Sequence, residues 1–482
     1  KPYTNTLCII LQNTYMKLII NIFSFLLITS FAFGQTKSKI EISSLEYNIV
    51  ELKSEYFPNE NRIIKIFLPK NYDITKKYPV IYTLDGYSLF DLTAKYVDQL
   101  SKLTIENDYD VATDVIPQSI VVGIYHNNRN KETTPNFSKY SDGDETIYLE
   151  GSEKLKNFLF EDVVPYINTK YNTSGYNSII GHSNTAHFVI CLPFQKNNPF
   201  NGIISLSLSG ESENFKRKIE PYLTTNKKTN IFIGYGTKDY DFNEFAKDLK
   251  GKVFNNNLKI SEFNANHNEM PAISLIQGIK FLFNEYRNIE DFYIESNKEN
   301  FDIREYLKLY HSKNKKLYGI ETQIKEVDFY SLIQMSINTK NKKALNQIIE
   351  YDLKVNGYPT QTHTLFFYNK QIGDFEKANY LANKIMNSKD DLENRILNAN
   401  LESYYDFYIN DLKNTEMGIA FFQQGQKKFK DNQLEFSYFI AKASVENNTQ
   451  KRLGKTNLEY CLKNYKENRY FREIDLKELK EE

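Results

Sequence analysis

The chain has 482 residues, and its 61 lysines and arginines are matched by 61 aspartates and glutamates. A formal net charge of zero gives no electrostatic pull towards nucleic acid or an anionic membrane surface. With 41% hydrophobic and 25% charged residues, the composition is that of a globular chain able to bury a large core over two or three domains.

In chain order, Met16 and Lys17 precede the apolar run Leu18–Ile28, and Ala32-Phe33-Gly34 follows. A charged start, an apolar stretch and a small-x-small site describe a secretory signal. Residues 1–34 therefore read as an upstream extension and signal peptide cut after Gly34, and the mature protein as exported, periplasmic or secreted. No Cys stands at the cut to take a lipid, and no later stretch is apolar enough to span a membrane.

Residues 35–287 alternate short β-rich runs with helical stretches. The candidate strands are Arg62–Leu68, Val80–Leu84, Ser119–Tyr125, Ser178–Ile180, Gly202–Ser205 and Asn230–Gly234, with a further run at Lys259–Phe263. Between them Leu155, Phe158, Leu159, Val163, Val164 and Ile167 recur at helical spacing. The fold class is therefore α/β, a parallel or mixed sheet flanked by helices.

From residue 288 to 482 glycines become few and the apolar residues fall into helical period, as in the stripe Ala344, Leu345, Ile348, Ile349 and Leu353, so this part reads as all-helical. Within it, Gly373-Asp374-Phe375-Glu376-Lys377-Ala378 resembles the turn and second helix of a tetratricopeptide-type repeat, with a weaker echo at Leu453–Tyr465. An unrelated helical bundle is the alternative.

The sharpest chemical feature is Ile179-Ile180-Gly181-His182-Ser183-Asn184-Thr185-Ala186, an apolar strand running through Gly-His-Ser into an apolar helix. That is the setting of a nucleophile elbow, which makes Ser183 the candidate nucleophile. A serine hydroxyl needs an imidazole to take its proton and a carboxylate to hold the imidazole. Asp239 follows one candidate strand and His267 another, in the chain order serine, acid, base; Asp241 in the same loop is the alternative acid. His187 reads as a packing residue and His182 as a shaper of the turn, while His126, His311 and His363 lack an acid-and-serine context. Three cysteines exclude a disulfide scaffold, and neither zinc-ligand spacing, a Walker-type loop nor a dinucleotide fingerprint occurs, so no metal or cofactor is expected.

Several ordered pieces now resemble one family. They are Phe67-Leu68-Pro69-Lys70-Asn71-Tyr72, Tyr78-Pro79-Val80-Ile81-Tyr82-Thr83-Leu84-Asp85-Gly86, Ile120-Val121-Val122-Gly123-Ile124 with Arg129 and Thr134-Pro135, the elbow, Gly236-Thr237-Lys238-Asp239, and His267 with Met270-Pro271. Over residues 45–285 the chain is similar to the esterase family of the α/β-hydrolase fold that includes esterase D, enterobactin esterases, feruloyl esterases and mycolyltransferase-like proteins. The resemblance implies that Ser183 is nucleophile, Asp239 acid and His267 base, with the backbone N–H groups of Tyr87 and Asn184 as the oxyanion hole. It also implies a small-molecule, sugar or siderophore ester as substrate.

In one respect the chain departs from the family: Thr185-Ala186 stand where glycine is usual, and a β-branched residue there brings a risk of strain. The expectation is an exported serine esterase working through an acyl-enzyme. The alternative is a catalytically degenerate scaffold that binds a protein partner through its helical half. The loops expected to carry specificity, Asn127–Asp144 and Ser209–Thr225, show no decisive charge pattern.

Overall fold

The computed structural model describes residues 45–101, 114–133, 150–208, 213–225, 228–250, 252, 257–322, 324–357 and 360–481. The stretch read as an export signal within residues 1–34, Thr134-Pro135 and parts of the two loops expected to carry specificity lie outside the described residues.

Eight strands among the described residues form one sheet: β1 Asn48–Leu52, β2 Arg62–Phe67, β3 Tyr78–Thr83, β4 Ile120–Ile124, β5 Thr173–His182, β6 Gly202–Leu206, β7 Asn230–Gly236 and β8 Leu258–Phe263. Their order is β1-β2-β4-β3-β5-β6-β7-β8. The β1–β2 and β2–β4 pairs run antiparallel and all others parallel. The seven runs read from sequence match β2 to β8. The edge strand β1 was not among them: Asn48-Ile49-Val50-Glu51-Leu52 lies at the rim, mostly exposed, and its apolar residues Ile49, Val50 and Leu52 do not keep the strict alternation that marks a half-buried strand. β5 extends five residues further back than its apolar centre, through Thr173-Ser174-Gly175.

The central strands are continuous apolar runs because helices cover both faces. Side chains alternate between two cores. Val80, Tyr82, Ile179, Ile203 and Ile231 pack on one side with Leu155, Phe158, Leu159 and Phe188. Ile81, Ile180, Ile204 and Phe232 pack on the other with Phe90, Val97, Leu275 and Ile279. The helical stripe from Leu155 to Ile167 is buried as expected, but it is one continuous coil with a wide π turn at Phe158–Val163. The Val164 N–H reaches back five residues to the Leu159 carbonyl there, directly before Pro165, which has no N–H to give.

From Phe292 on, the described residues form helices and no strand. Helices Thr362–Ile372 and Phe375–Met386 meet at Gly373 and Asp374, whose side chain caps the second by accepting from the Lys377 N–H. Ala378 on that second helix is fully buried. On helix Lys342–Asn356, Ala344, Leu345 and Ile348 are buried, whereas Leu353 is 45% exposed near its end.

Where the two halves join, Arg287 Nη2 bonds Asp328 Oδ1 at 2.6 Å, and its Nη1 also bonds Asp114. Tyr318, at the end of helix Ile303–Tyr318, packs on Tyr176 and Phe283 with ring centroids 5.2 and 5.3 Å away. Among the described residues no helix is long and apolar enough to cross a membrane.

Candidate active site

Strands β3 to β8 run the same way, so the residues that follow them gather along one edge of the sheet. Asp85, Gly86 and Tyr87 follow β3, Ser183 follows β5, Asp239 follows β7 and His267 follows β8.

Ser183 has φ 63° and ψ −124°, a conformation that a non-glycine residue holds only when its surroundings enforce it. Two contacts enforce it. The Ser183 N–H donates to the Leu206 carbonyl on β6 at 3.0 Å, and its own carbonyl accepts from the Ala186 N–H at 2.9 Å. Gly181 makes room for the turn, since a Cβ there would stand 2.2 Å from the Thr185 carbonyl oxygen. The helix Asn184–Ile190 that follows is buried from Thr185 onwards.

The acid and base loops are laced together. The Thr237 N–H donates to the Phe263 carbonyl at 2.8 Å and the Lys238 N–H to the Ala265 carbonyl at 3.1 Å. Gly236 is needed for that approach, because a Cβ there would meet the Ala265 oxygen at 2.3 Å. On the base side, Asn266 Oδ1 accepts the N–H groups of Asn268 and Glu269, each at 3.1 Å, folding a tight turn around His267.

His267 Nδ1 lies 3.1 and 3.0 Å from the two carboxylate oxygens of Asp239, which is buried. With Nδ1–H donating to the carboxylate, Nε2 carries the free lone pair, the form a general base requires. Asp241 is exposed and does not touch the ring. The imidazole lies between His182, ring centroid 4.5 Å away, and Phe242, 4.3 Å away, and stays 31% exposed.

His182 also donates from Nε2 to the His267 carbonyl at 2.9 Å. Burial first, then the neighbouring His267 ring, pushes the His182 pKa down to about 4, so it is a neutral clamp at neutral pH. The residue before Ser183 thus touches His267 through both its ring and its side-chain hydrogen bond. No hydrogen bond joins Ser183 itself to His267 among the described residues; the bonds of His267 run to Asp239 and His182. Such a contact often tightens only when substrate is bound.

Tyr87 lies on the turn after β3 with its side chain 57% exposed, and Asn184 is the first residue of the helix after Ser183. Neither N–H is engaged in a backbone hydrogen bond among the described residues. His187 is buried against Phe215, ring centroids 4.9 Å apart, in keeping with a packing role.

Residues 54–270 match the family model described as "Putative esterase". The match falls on the α/β part of the chain, from before β2 to the start of the helix after β8, and this part is similar to that esterase family. A solved structure of an uncharacterised protein from Capnocytophaga ochracea DSM 7271 is 17% identical, covers 73% of this chain and 98% of its own, and has a TM-score of 0.52. That cover exceeds the α/β residues, so the shared fold continues into the helical half. An IroE-like serine hydrolase from Shewanella oneidensis is 21% identical over 63% of this chain and 98% of its own, with a TM-score of 0.46. A siderophore hydrolase, EstA from Aspergillus nidulans, is 15% identical over 54% of this chain and 100% of its own, with a TM-score of 0.40. No curated protein matches the chain.

Beneath the elbow lies a buried ionic network that sequence order alone does not bring together. Arg129 grips Asp85 with two bonds, Nε to Oδ1 at 2.6 Å and Nη2 to Oδ2 at 3.0 Å, and Nη2 also donates to the His182 carbonyl at 3.1 Å. His126, expected to lack an acid-and-serine context, has acids but no serine beside it: it accepts the Asp85 N–H at Nε2, 3.2 Å away, and faces Glu132 through Nδ1 at 3.2 Å. Its acids are brought in by folding: Glu132 from the next short helix and Asp85 from the neighbouring strand end. Glu132 is held by Arg62 through bonds of 3.0 and 2.6 Å. Guanidinium groups therefore occupy these carboxylates, and among the described residues no His, Cys, Asp and Glu group is placed to hold a metal ion.

Burial works to raise the Glu132 carboxyl, but hydrogen bonds from His126, Arg62 and the Asn128 N–H outweigh it and hold its pKa down to about 2, from an ordinary 4.5. The folded pKa lies below the unfolded one. The network therefore stabilises the fold above pH 4.5 and loses that contribution as pH falls towards about 2. Arg62→Met is expected to cost about 3 kcal/mol at neutral pH, the low end for a broken buried pair, because His126 and backbone N–H groups still serve Glu132. It should also flatten the acid loss of stability. Denaturant unfolding of both forms at neutral and acid pH checks this, and equal midpoints at neutral pH would show that the pair contributes nothing.

Proposed function

We propose that the chain is an exported serine esterase that hydrolyses carboxylic esters through an acyl-enzyme. Ser183 Oγ attacks the ester carbonyl while His267 Nε2 takes its proton, and Asp239 holds the imidazole and stabilises its charged form. The N–H groups of Tyr87 and Asn184 receive the oxyanion, each such donor contributing on the order of 3 kcal/mol to the transition state. The imidazolium then protonates the leaving alcohol, and water attacks the acyl-enzyme with His267 again as base.

The observation that carries this reading is the pairing of His267 with Asp239, with the same imidazole held against His182, next to Ser183. Export rests on the leader-like residues 16–34. In this reading residues 35–287 carry the chemistry, and residues 288–482 form a tetratricopeptide-like helical part.

The test is a fluorophosphonate probe, which reacts only with an activated serine, together with p-nitrophenyl acetate turnover. The folded protein is expected to be labelled on Ser183 and to hydrolyse the ester. Folded protein that takes no label would instead favour a degenerate scaffold with a binding role.

A further inference from the structure

Thr185 occupies a position where the related family usually has glycine, so the side chain needs room and partners that glycine does not. Both are present. The residue is fully buried, and its Oγ1 accepts the His182 N–H at 2.7 Å. Its single proton has two acceptors, Asp85 Oδ2 at 2.9 Å and the His182 carbonyl at 2.8 Å. The carboxylate is the stronger acceptor. Asp85 has φ 55° and is fixed from its other side by Arg129. The elbow around Ser183 and the turn carrying Tyr87 thus meet at the Asp85 carboxylate, directly through the Thr185 hydroxyl and also through Arg129, which bonds the His182 carbonyl.

We infer that Thr185 is a positioning residue for the proposed reaction: its hydroxyl, bound to Asp85, sets the spacing between the Tyr87 and Asn184 N–H groups that receive the oxyanion. The inference rests on the esterase reading. It assigns to a side chain the work that a tight glycine turn cannot do, because glycine has no group with which to reach Asp85.

Thr185→Val keeps the shape and removes the hydroxyl, while Thr185→Ser keeps the hydroxyl and removes a methyl. With p-nitrophenyl acetate the valine variant is expected to lose about 10- to 100-fold in kcat at unchanged KM, the scale of a small displacement at a reacting centre. The serine variant should restore the rate. Both should retain the wild-type circular dichroism and cooperative unfolding.

A valine variant as fast as wild type overturns the inference and leaves the esterase reading intact, as does one that changes only KM. If the valine variant does not fold, Thr185→Ala takes its place, and an alanine variant as fast as the serine variant overturns the inference equally. Folded wild-type protein that neither turns over the ester nor takes a fluorophosphonate label removes both the inference and the reading beneath it.

Discussion

Hydrolysis of p-nitrophenyl acetate by Ser183→Ala is expected to fall by about ten thousand to a million times, the loss seen when a triad nucleophile is removed. Folding should be nearly untouched. The Ser183 turn is enforced through backbone groups, the Leu206 carbonyl and the Ala186 N–H, which alanine leaves in place. Thermal unfolding within about 0.5 kcal/mol of wild type is the companion expectation, since no buried partner is orphaned. Fluorophosphonate labelling should vanish with the hydroxyl. If the alanine variant turned over ester as fast as wild type, the nucleophile would lie elsewhere and the proposed mechanism would be withdrawn.

Asp239→Asn should be nearly as damaging. The carboxylate accepts from His267 Nδ1 with both oxygens. An amide can present its NH2 to Nδ1 and so stabilise the tautomer whose Nε2 is already protonated, which cannot accept the serine proton. A loss of about ten-thousandfold in kcat with little change in KM follows. Asp241→Asn is the control: that side chain is exposed, and the carboxylate bonded to His267 Nδ1 is Asp239, so its kcat should match wild type. Steady-state kinetics of the two variants decide between the two aspartates, and the reverse ranking would reassign the acid.

Much of the candidate site's geometry was legible because it depends on order along the chain. Ser183, Asp239 and His267 each follow a strand, and parallel strands carry their ends to one edge, so sequence order and strand periodicity together locate the pairing of Asp239 with His267. β1 was illegible for the opposite reason: an edge strand exposed to water does not need the apolar alternation that marks the others. The ionic network also escaped notice. Arg62, Asp85, His126, Arg129, Glu132 and Thr185 come from four separate segments, and each looks like an ordinary surface or turn residue until folding removes water from all of them at once. His126 shows this best, since its acids lie six residues ahead and across a strand. Thr185 looked like a strained intruder by residue type alone, but strain depends on partners, and its hydroxyl has three.

Tyr318 carries a practical consequence. Although it belongs to the helical half by sequence, its ring roofs Tyr176 and Phe283 on the underside of the sheet, far along the chain from the chemistry. A protein truncated just past Arg287 would retain every group named in the reaction and yet bare a sticky aromatic floor. Such a fragment should clump in solution, and a loss of activity on trimming would then report on solubility and not on catalysis.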